Sequence, residues 1–171
     1  MSNLHLRVEE ILERYHPDAE QKLKLFQGTQ SEIGMRGRLE IVCKKLALAW
    51  GEPRVLSAYG GRLTGHTDGD IDSDTVVEIK TVPNAEIISR MKSDGKVPFK
   101  VFSQVNAYML WGPYKRALVI YETRNEGRLW LVEVLPNNRV QAELQAKAES
   151  VLAQIAASTP LLRGETEGCV R

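Results

Sequence analysis

The segment T-G-H-T-D-G-D-I-D-S-D-T-V-V-E-I-K-T, residues 64–81, carries the acids Asp68, Asp70, Asp72, Asp74 and Glu78 and the base Lys80. Two carboxylates that converge can hold a hard divalent cation with water left over for exchange. An ammonium beside them can position an attacking water or neutralise charge developing on a phosphate. Asp68, Glu78 and Lys80 are the candidates for that chemistry. Two other readings compete. D-G-D-I-D-S-D-T-V-V-E imitates a calcium loop, but Ser73 stands where the sharp turn needs glycine, and Ile79 stands where the bidentate glutamate belongs. A strand-like run follows, where that motif has a helix. The third reading is an ion pair of Glu78 with Lys80 on a solvated strand edge.

Position within a strand separates these readings. Side chains alternate, so Val76, Glu78 and Lys80 share one face and Val77 and Ile79 the other. A run that begins V-V and ends T-V suits a central strand. If the preceding turn centres on Asp72 and pairs Ile71 with Ser73, Asp68 faces Val76 across a hairpin. Asp68 then lies on the Glu78 side of the sheet, a diagonal neighbour at about 7–8 Å. A turn one residue longer or shorter breaks that parity. Asp70, Asp72 and Asp74 are expected to solvate the turn and tolerate its backbone angles. His66 shares the Asp68 face and is expected near the site without being a ligand.

The elements that must hold these residues follow from periodicity. Leu4, Val8, Ile11, Leu12 and Tyr15 predict a helix over residues 3–15, stopped by Pro17. Residues 18–30 read as a short helix or a loop. A second long helix starts at Ser31, an N-cap residue, with Ile33, Leu39, Val42, Cys43, Leu46 and Ala49 on its apolar face. Gly51 and Pro53 stop it. Residues 54–59, 62–70 and 75–82 read as an antiparallel meander. Residues 84–93 form a short helix. Residues 99–111 form an apolar helix closed by Gly112-Pro113. Residues 115–122 and 128–135 are two strands, and residues 137–157 an amphipathic helix through Val140, Leu144, Val151, Leu152 and Ile155. The tail from residue 159 is expected to fray. The order implies an α/β sandwich, a central mixed β-sheet flanked by α-helices.

Composition narrows the class. At 171 residues one domain is expected, with residues 1–30 as a helical extension. A net charge of +1 gives no global field for nucleic acid, so any such contact rests on local basic residues. Arg36 and Arg38 flank Glu40, and Lys92, Lys96 and Lys100 flank the loop before the helix carrying Gln104. These are the expected DNA-phosphate contacts. Cys43 and Cys169 form no ligand pair, which speaks against structural zinc and a disulfide framework. No signal core and no apolar run of membrane-spanning length occurs, so a cytoplasmic location is expected. Trp111, Trp130 and Tyr121 read as core residues.

Several of these pieces together resemble a known family. G-H-T-D, nine residues, then E-I-K resembles the PD-(D/E)XK nuclease superfamily. The pattern is similar to the branch that holds bacteriophage lambda exonuclease and the RecB nuclease domain. R-G-R-L-E, residues 36–40, sits where that branch carries a Glu or His metal ligand. The segment K-V-P-F-K-V-F-S-Q-V-N-A-Y-M, residues 96–109, resembles its Q-x-x-x-Y motif through Gln104 and Tyr108. The resemblance covers about residues 34–122.

The resemblance implies a restriction-endonuclease-like core and a metal-dependent deoxyribonuclease, an exonuclease acting at DNA ends in recombination, repair or phage replication. The alternatives are an endonuclease of the same fold and a non-catalytic DNA-binding subunit. It implies one or two Mg²⁺ ions, with Mn²⁺ substituting, held by Asp68, Glu78, the Ile79 carbonyl and Glu40. Lys80, Gln104 and Tyr108 would complete the catalytic set. DNA is the implied partner, with a homo-oligomer or a recombination protein beside it, and no membrane. The chain is shorter than typical lambda-type exonucleases, and it lacks the cysteine cluster of the iron–sulfur branch.

Overall fold

Leu4, Val8 and Leu12 recur at helical spacing and all three are buried, so helix α1 (Leu4–Arg14) forms one wall of the core. The computed structural model describes residues 3–14, 31–124 and 128–157. The reading of residues 18–30, the side chains of Ser31 and Ile33, Cys169 and the tail lie outside the described residues. Helix α2 (Ser31–Lys45) packs Met35, Leu39, Val42 and Cys43 inward.

Helix α2 is shorter than its apolar pattern suggests. Ala47 adopts a left-handed backbone (φ 55°), and the Leu48 amide returns to the Cys43 carbonyl at 2.9 Å. That closure ends the helix before the expected Gly51–Pro53 stop. Trp50–Gly51 is therefore extended and forms the edge strand β1.

The expected meander divides between two sheets. Strands β2 (Val55–Ala58) and β3 (Leu63–His66) form a separate hairpin. The chain then enters a five-stranded sheet of order β1-β4-β5-β6-β7, with β4 (Gly69–Ile71), β5 (Thr75–Val82), β6 (Arg116–Thr123) and β7 (Leu129–Val134). The break falls at Thr67 and Asp68. The Thr67 amide donates to the Arg54 carbonyl (3.0 Å), and the Arg54 amide donates to the Thr67 hydroxyl (3.1 Å), which closes the hairpin at its base. Gly69 then lies under the Trp50 indole, where a Cβ would collide with the ring.

Strands β4 and β5 are antiparallel, β5 and β6 parallel, and β6 and β7 antiparallel. The parallel step requires a crossover, supplied by α3 (Ala85–Asp94) and α4 (Phe99–Trp111). Asn84 caps α3 by accepting from the Ile87 amide, and Gly95 closes it in the left-handed conformation (φ 61°).

Alternation gives the sheet two apolar faces. Val77, Ile79, Leu118, Ile120, Leu129 and Leu131 pack with α1 and α2. Val76, Ala117, Val119, Tyr121, Trp130 and Val134 pack with α3 and α4. Helix α5 (Asn138–Ala156) starts at the Asn137 amide bonded to buried Asn106 of α4 (2.8 Å). Its apolar stripe is only partly covered. No α5 residue is fully buried, and Ile155 is 53% exposed. No helix among the described residues is long and apolar enough to cross a membrane.

Candidate active site

The site forms where β4 stops covering β5. The register pairs Ile71 with Thr75, Asp70 with Val76 and Gly69 with Val77. The turn is therefore wider than expected, with Asp72 and Ser73 both left-handed (φ 51° and 59°) and the Asp74 amide bonded to the Ile71 carbonyl. This turn keeps the parity of the expected one and shifts the pairing by one residue on each strand. Continued outward, it sets Asp68 opposite Glu78 rather than diagonal to it, on the same face.

Asp68 takes over the strand edge with its side chain. Its amide donates to the Val77 carbonyl (3.3 Å), and its Oδ2 accepts from the Ile79 amide at 2.8 Å. In a strand the N–H and C=O of one residue point to the same edge. The Ile79 carbonyl therefore also faces the edge that β4 leaves uncovered. Asp68 Oδ1 accepts from Arg36 Nη2 of α2 at 2.9 Å.

Glu78 is 2% exposed. Its Oε1 forms an ion pair with Lys80 Nζ and accepts from Gln104 Nε2 at 2.9 Å. Gln104 Nε2 also donates to the Tyr108 hydroxyl (2.7 Å), and that hydroxyl donates to the His66 carbonyl (2.6 Å). A chain of bonds thus runs from Glu78 across α4 to the base of the hairpin. It needs Gly65, because a Cβ there would sit 2.9 Å from the Tyr108 ring. Gln104 and Tyr108 do satisfy each other, and the same amide also reaches Glu78.

Burial raises the Glu78 carboxyl above its usual range; the Lys80 contacts oppose this, and Asp68 adds a smaller repulsion. Repulsion between the acids is secondary to burial. Burial pushes the Tyr108 hydroxyl up to about 12, so it stays a neutral donor.

These residues fit a hard divalent cation. Glu78 Oε2 is buried without a hydrogen-bond partner, which an apolar wall would penalise and a cation would satisfy. Asp68 reaches the β5 edge at the Ile79 backbone, next along the strand from Glu78. Glu40 does not join them. It is exposed on α2, in a surface groove with Gly37, Ile41 and Lys44. Among the described residues no three acidic, histidine or cysteine side chains gather as a ready-made metal site.

The basic residues divide. Arg38 points inward, donating to Glu122 Oε1 at 2.8 Å, so its expected place among DNA contacts is not met. Arg36 is committed to Asp68. Lys92 lies 3.6 Å from Glu9 of α1. Lys96 and Lys100 are exposed, Lys100 one turn before Gln104 on α4.

The turn acids are more than solvated. Asp70 is 1% exposed, facing Arg54 Nε at 3.1 Å in an ion pair whose angle is not that of a hydrogen bond. Asp72 accepts from the Ala49 amide (2.8 Å) and donates its own amide to the Ala49 carbonyl (2.9 Å). Asp74 accepts from the Thr75 hydroxyl. Asp70 shares the Asp68 face, so alternation alone could have marked it as buried. Tyr121 is a core residue as expected, stacked on Trp130 at 5.4 Å. It also flanks the site, paired with Lys80 in the parallel register, with a buried hydroxyl that has no partner and that burial, then Glu78, pushes up to about 12. Nothing short of that register could have found it.

No protein-family model matches the sequence, and neither does any curated protein. Solved structures do match. The alkaline exonuclease LHK-Exo from Laribacter hongkongensis is similar with a TM-score of 0.61, over 88% of this chain and 87% of that one, at 14% identity. The chain has the fold of an alkaline exonuclease. LHK-Exo in complex with dAMP gives a TM-score of 0.58 over 89% and 86%, at 15% identity. At such identity the likeness is one of fold, and it is the nuclease fold that the G-H-T-D…E-I-K resemblance implied. Within that exonuclease fold, Asp68, Glu78, Lys80, Gln104 and Tyr108 come together, while Glu40, Arg38 and Lys92 do not.

Proposed function

We propose that the protein is a metal-dependent deoxyribonuclease that hydrolyses DNA phosphodiester bonds, working from DNA ends in recombination, repair or phage replication. The observation that carries this reading is the buried, partnerless Glu78 Oε2 beside Lys80, on the strand edge that Asp68 caps. The likeness to LHK-Exo, which binds dAMP, supports DNA as the substrate class.

Asp68, Glu78 and the Ile79 carbonyl would hold Mg²⁺ or Mn²⁺. Glu40 would join only through a change of rotamer and water. When bound, the ion supplies charge relief on the phosphate and activation of water. The chain's own residues do the positioning. Gln104 fixes the Glu78 carboxylate through Oε1, which leaves Oε2 without a hydrogen-bond partner. Lys80 is held at the same carboxylate and presents its ammonium to the attacking water and the reacting phosphate. Tyr108 fixes the Gln104 amide. Lys96 and Lys100 neutralise phosphates at the start of α4, which makes binding salt-dependent.

The test is digestion with Mg²⁺ of end-labelled linear DNA and of a closed circle in parallel, with Asp68→Ala as the control. Loss of the linear DNA alone, absent with the variant, is the expected result. Cutting of the circle would make the protein an endonuclease. No cutting of either, with Mn²⁺ also tried, would leave a binding subunit and end the catalytic reading.

A further inference from the structure

Resting on that metal-dependent reading, we infer that Arg36 is an exchangeable counter-ion. It neutralises Asp68 before the cation arrives and passes to a DNA phosphate when the cation takes its place. Asp68 has no idle oxygen. Ile79 N–H holds Oδ2 at 2.8 Å and Arg36 Nη2 holds Oδ1 at 2.9 Å. A cation that uses Asp68 Oδ1 must share it with a guanidinium of like charge, and the guanidinium is the mobile partner. The Ile79 amide is fixed in the sheet, whereas the Arg36 side chain is 31% exposed and reaches from another element.

The contact also leaves Arg36 underused. It binds through one Nη, while its buried Nε has no hydrogen-bond partner. A planar guanidinium held by one corner is poised for the two-oxygen grip that a phosphate offers and that this carboxylate does not use. Arg38, two residues on, makes the contrast. Its Nε is likewise buried without a partner, but its pair with Glu122 has side chains only 17% and 11% exposed and the same Nη also bonds Met35 Sδ, so it has nowhere to go. The site thus holds two cationic stand-ins, Lys80 on Glu78 and Arg36 on Asp68, and only Arg36 comes from outside the strand that bears the chemistry.

The test is Mn²⁺ binding by the full chain without DNA, read as free Mn²⁺ by electron paramagnetic resonance. Arg36→Met should bind Mn²⁺ roughly tenfold more tightly than the wild type, since one charge-assisted contact no longer competes. The same variant should bind a short labelled duplex more weakly, in Ca²⁺, than the wild type does. Equal or weaker Mn²⁺ binding by Arg36→Met would overturn the inference. A wild-type readout stands beside it in case the variant misfolds. The Arg36 Nε–Hε resonance, assigned with Arg36→Lys, should move on Mg²⁺ addition, and a signal unmoved at saturation would also overturn it. Asp68→Ala separates the two levels. Should it bind Mn²⁺ as well as the wild type, the metal-site reading itself has failed.

Discussion

The two halves of β5 lie on one strand and do opposite work. Thr75, Val76 and Val77 are paired on both sides, with β4 on one edge and β6 on the other, and Val76 and Val77 are wholly buried. Glu78, Ile79 and Lys80 keep β6 but have lost β4, and the Asp68 side chain substitutes for the missing strand. The first half gains stability from burial. The second half gives some up, because it buries a carboxylate oxygen without a partner. One residue of register separates the two regimes. The point where β4 begins is therefore as much a part of the site as the acids are.

Glu78→Gln should break this contrast most strongly. Cleavage should fall on the order of a thousandfold or more, since the cation loses a charged ligand. Stability should move the other way. The folded carboxyl titrates above the ordinary carboxylate range, so the folded state holds that proton more tightly than the unfolded state does. In the metal-free protein the Glu78 contribution to stability is therefore lost as pH rises from the ordinary carboxylate range through the raised folded value. Melting in EDTA at several pH values should show the variant losing less stability than the wild type over that window. Mn²⁺ affinity of the wild type should rise with pH over the same window, because the cation must displace the Glu78 proton.

Val77→Ala probes the other half. The residue is fully buried, and its truncation should cost about 2 kcal/mol from lost burial and the cavity left behind. Denaturant titration measures that loss, and turnover per folded molecule should hardly change. Tyr108→Phe couples the halves. It removes the donor to the His66 carbonyl and the acceptor for Gln104, at a cost of about 1–2 kcal/mol. Cleavage should drop by roughly tenfold, through freer motion of Gln104 against Glu78. Cleavage at the wild-type rate would show that the Glu78 carboxylate needs no such support.

How much of this was legible in the residues differs by kind of contact. The strand bearing Val76, Glu78 and Lys80 follows from alternation, and the mixed sheet from the order of elements. The Gln104–Tyr108 pair follows from helical spacing. Long-range choices were not legible. Whether α2 stops at Lys45 or at Gly51 depends on a left-handed Ala47, a residue with no propensity for it. Whether residues 62–70 make one strand or two depends on how Thr67 and Arg54 close the hairpin. Arg36 and Arg38 look alike in sequence, yet one meets Asp68, between β3 and β4, and the other Glu122 of β6, because helical rotation points them at different segments. Glu40 matched a motif position and stands exposed, since spacing along a helix does not fix its distance from a sheet.

Asp72 gives the smallest expected effect and the finest test of where the site ends. Turn statistics make it a solvated residue whose loss would go unnoticed. The structure gives it two bonds to the Ala49 backbone and a left-handed φ of 51°. It thus pins the β4–β5 turn to the segment that follows α2, and through that turn the register that sets Asp68 opposite Glu78. Asp72→Ala should cost about 1 kcal/mol, from a lost hydrogen bond and a backbone angle that alanine tolerates poorly. Thermal melting measures this, and turnover at temperatures well below the transition should match the wild type. A large fall in turnover with little loss of stability would mean that the register slips when the tether is cut, and the boundary between the two halves of β5 would then be held by Asp72 rather than by Asp68.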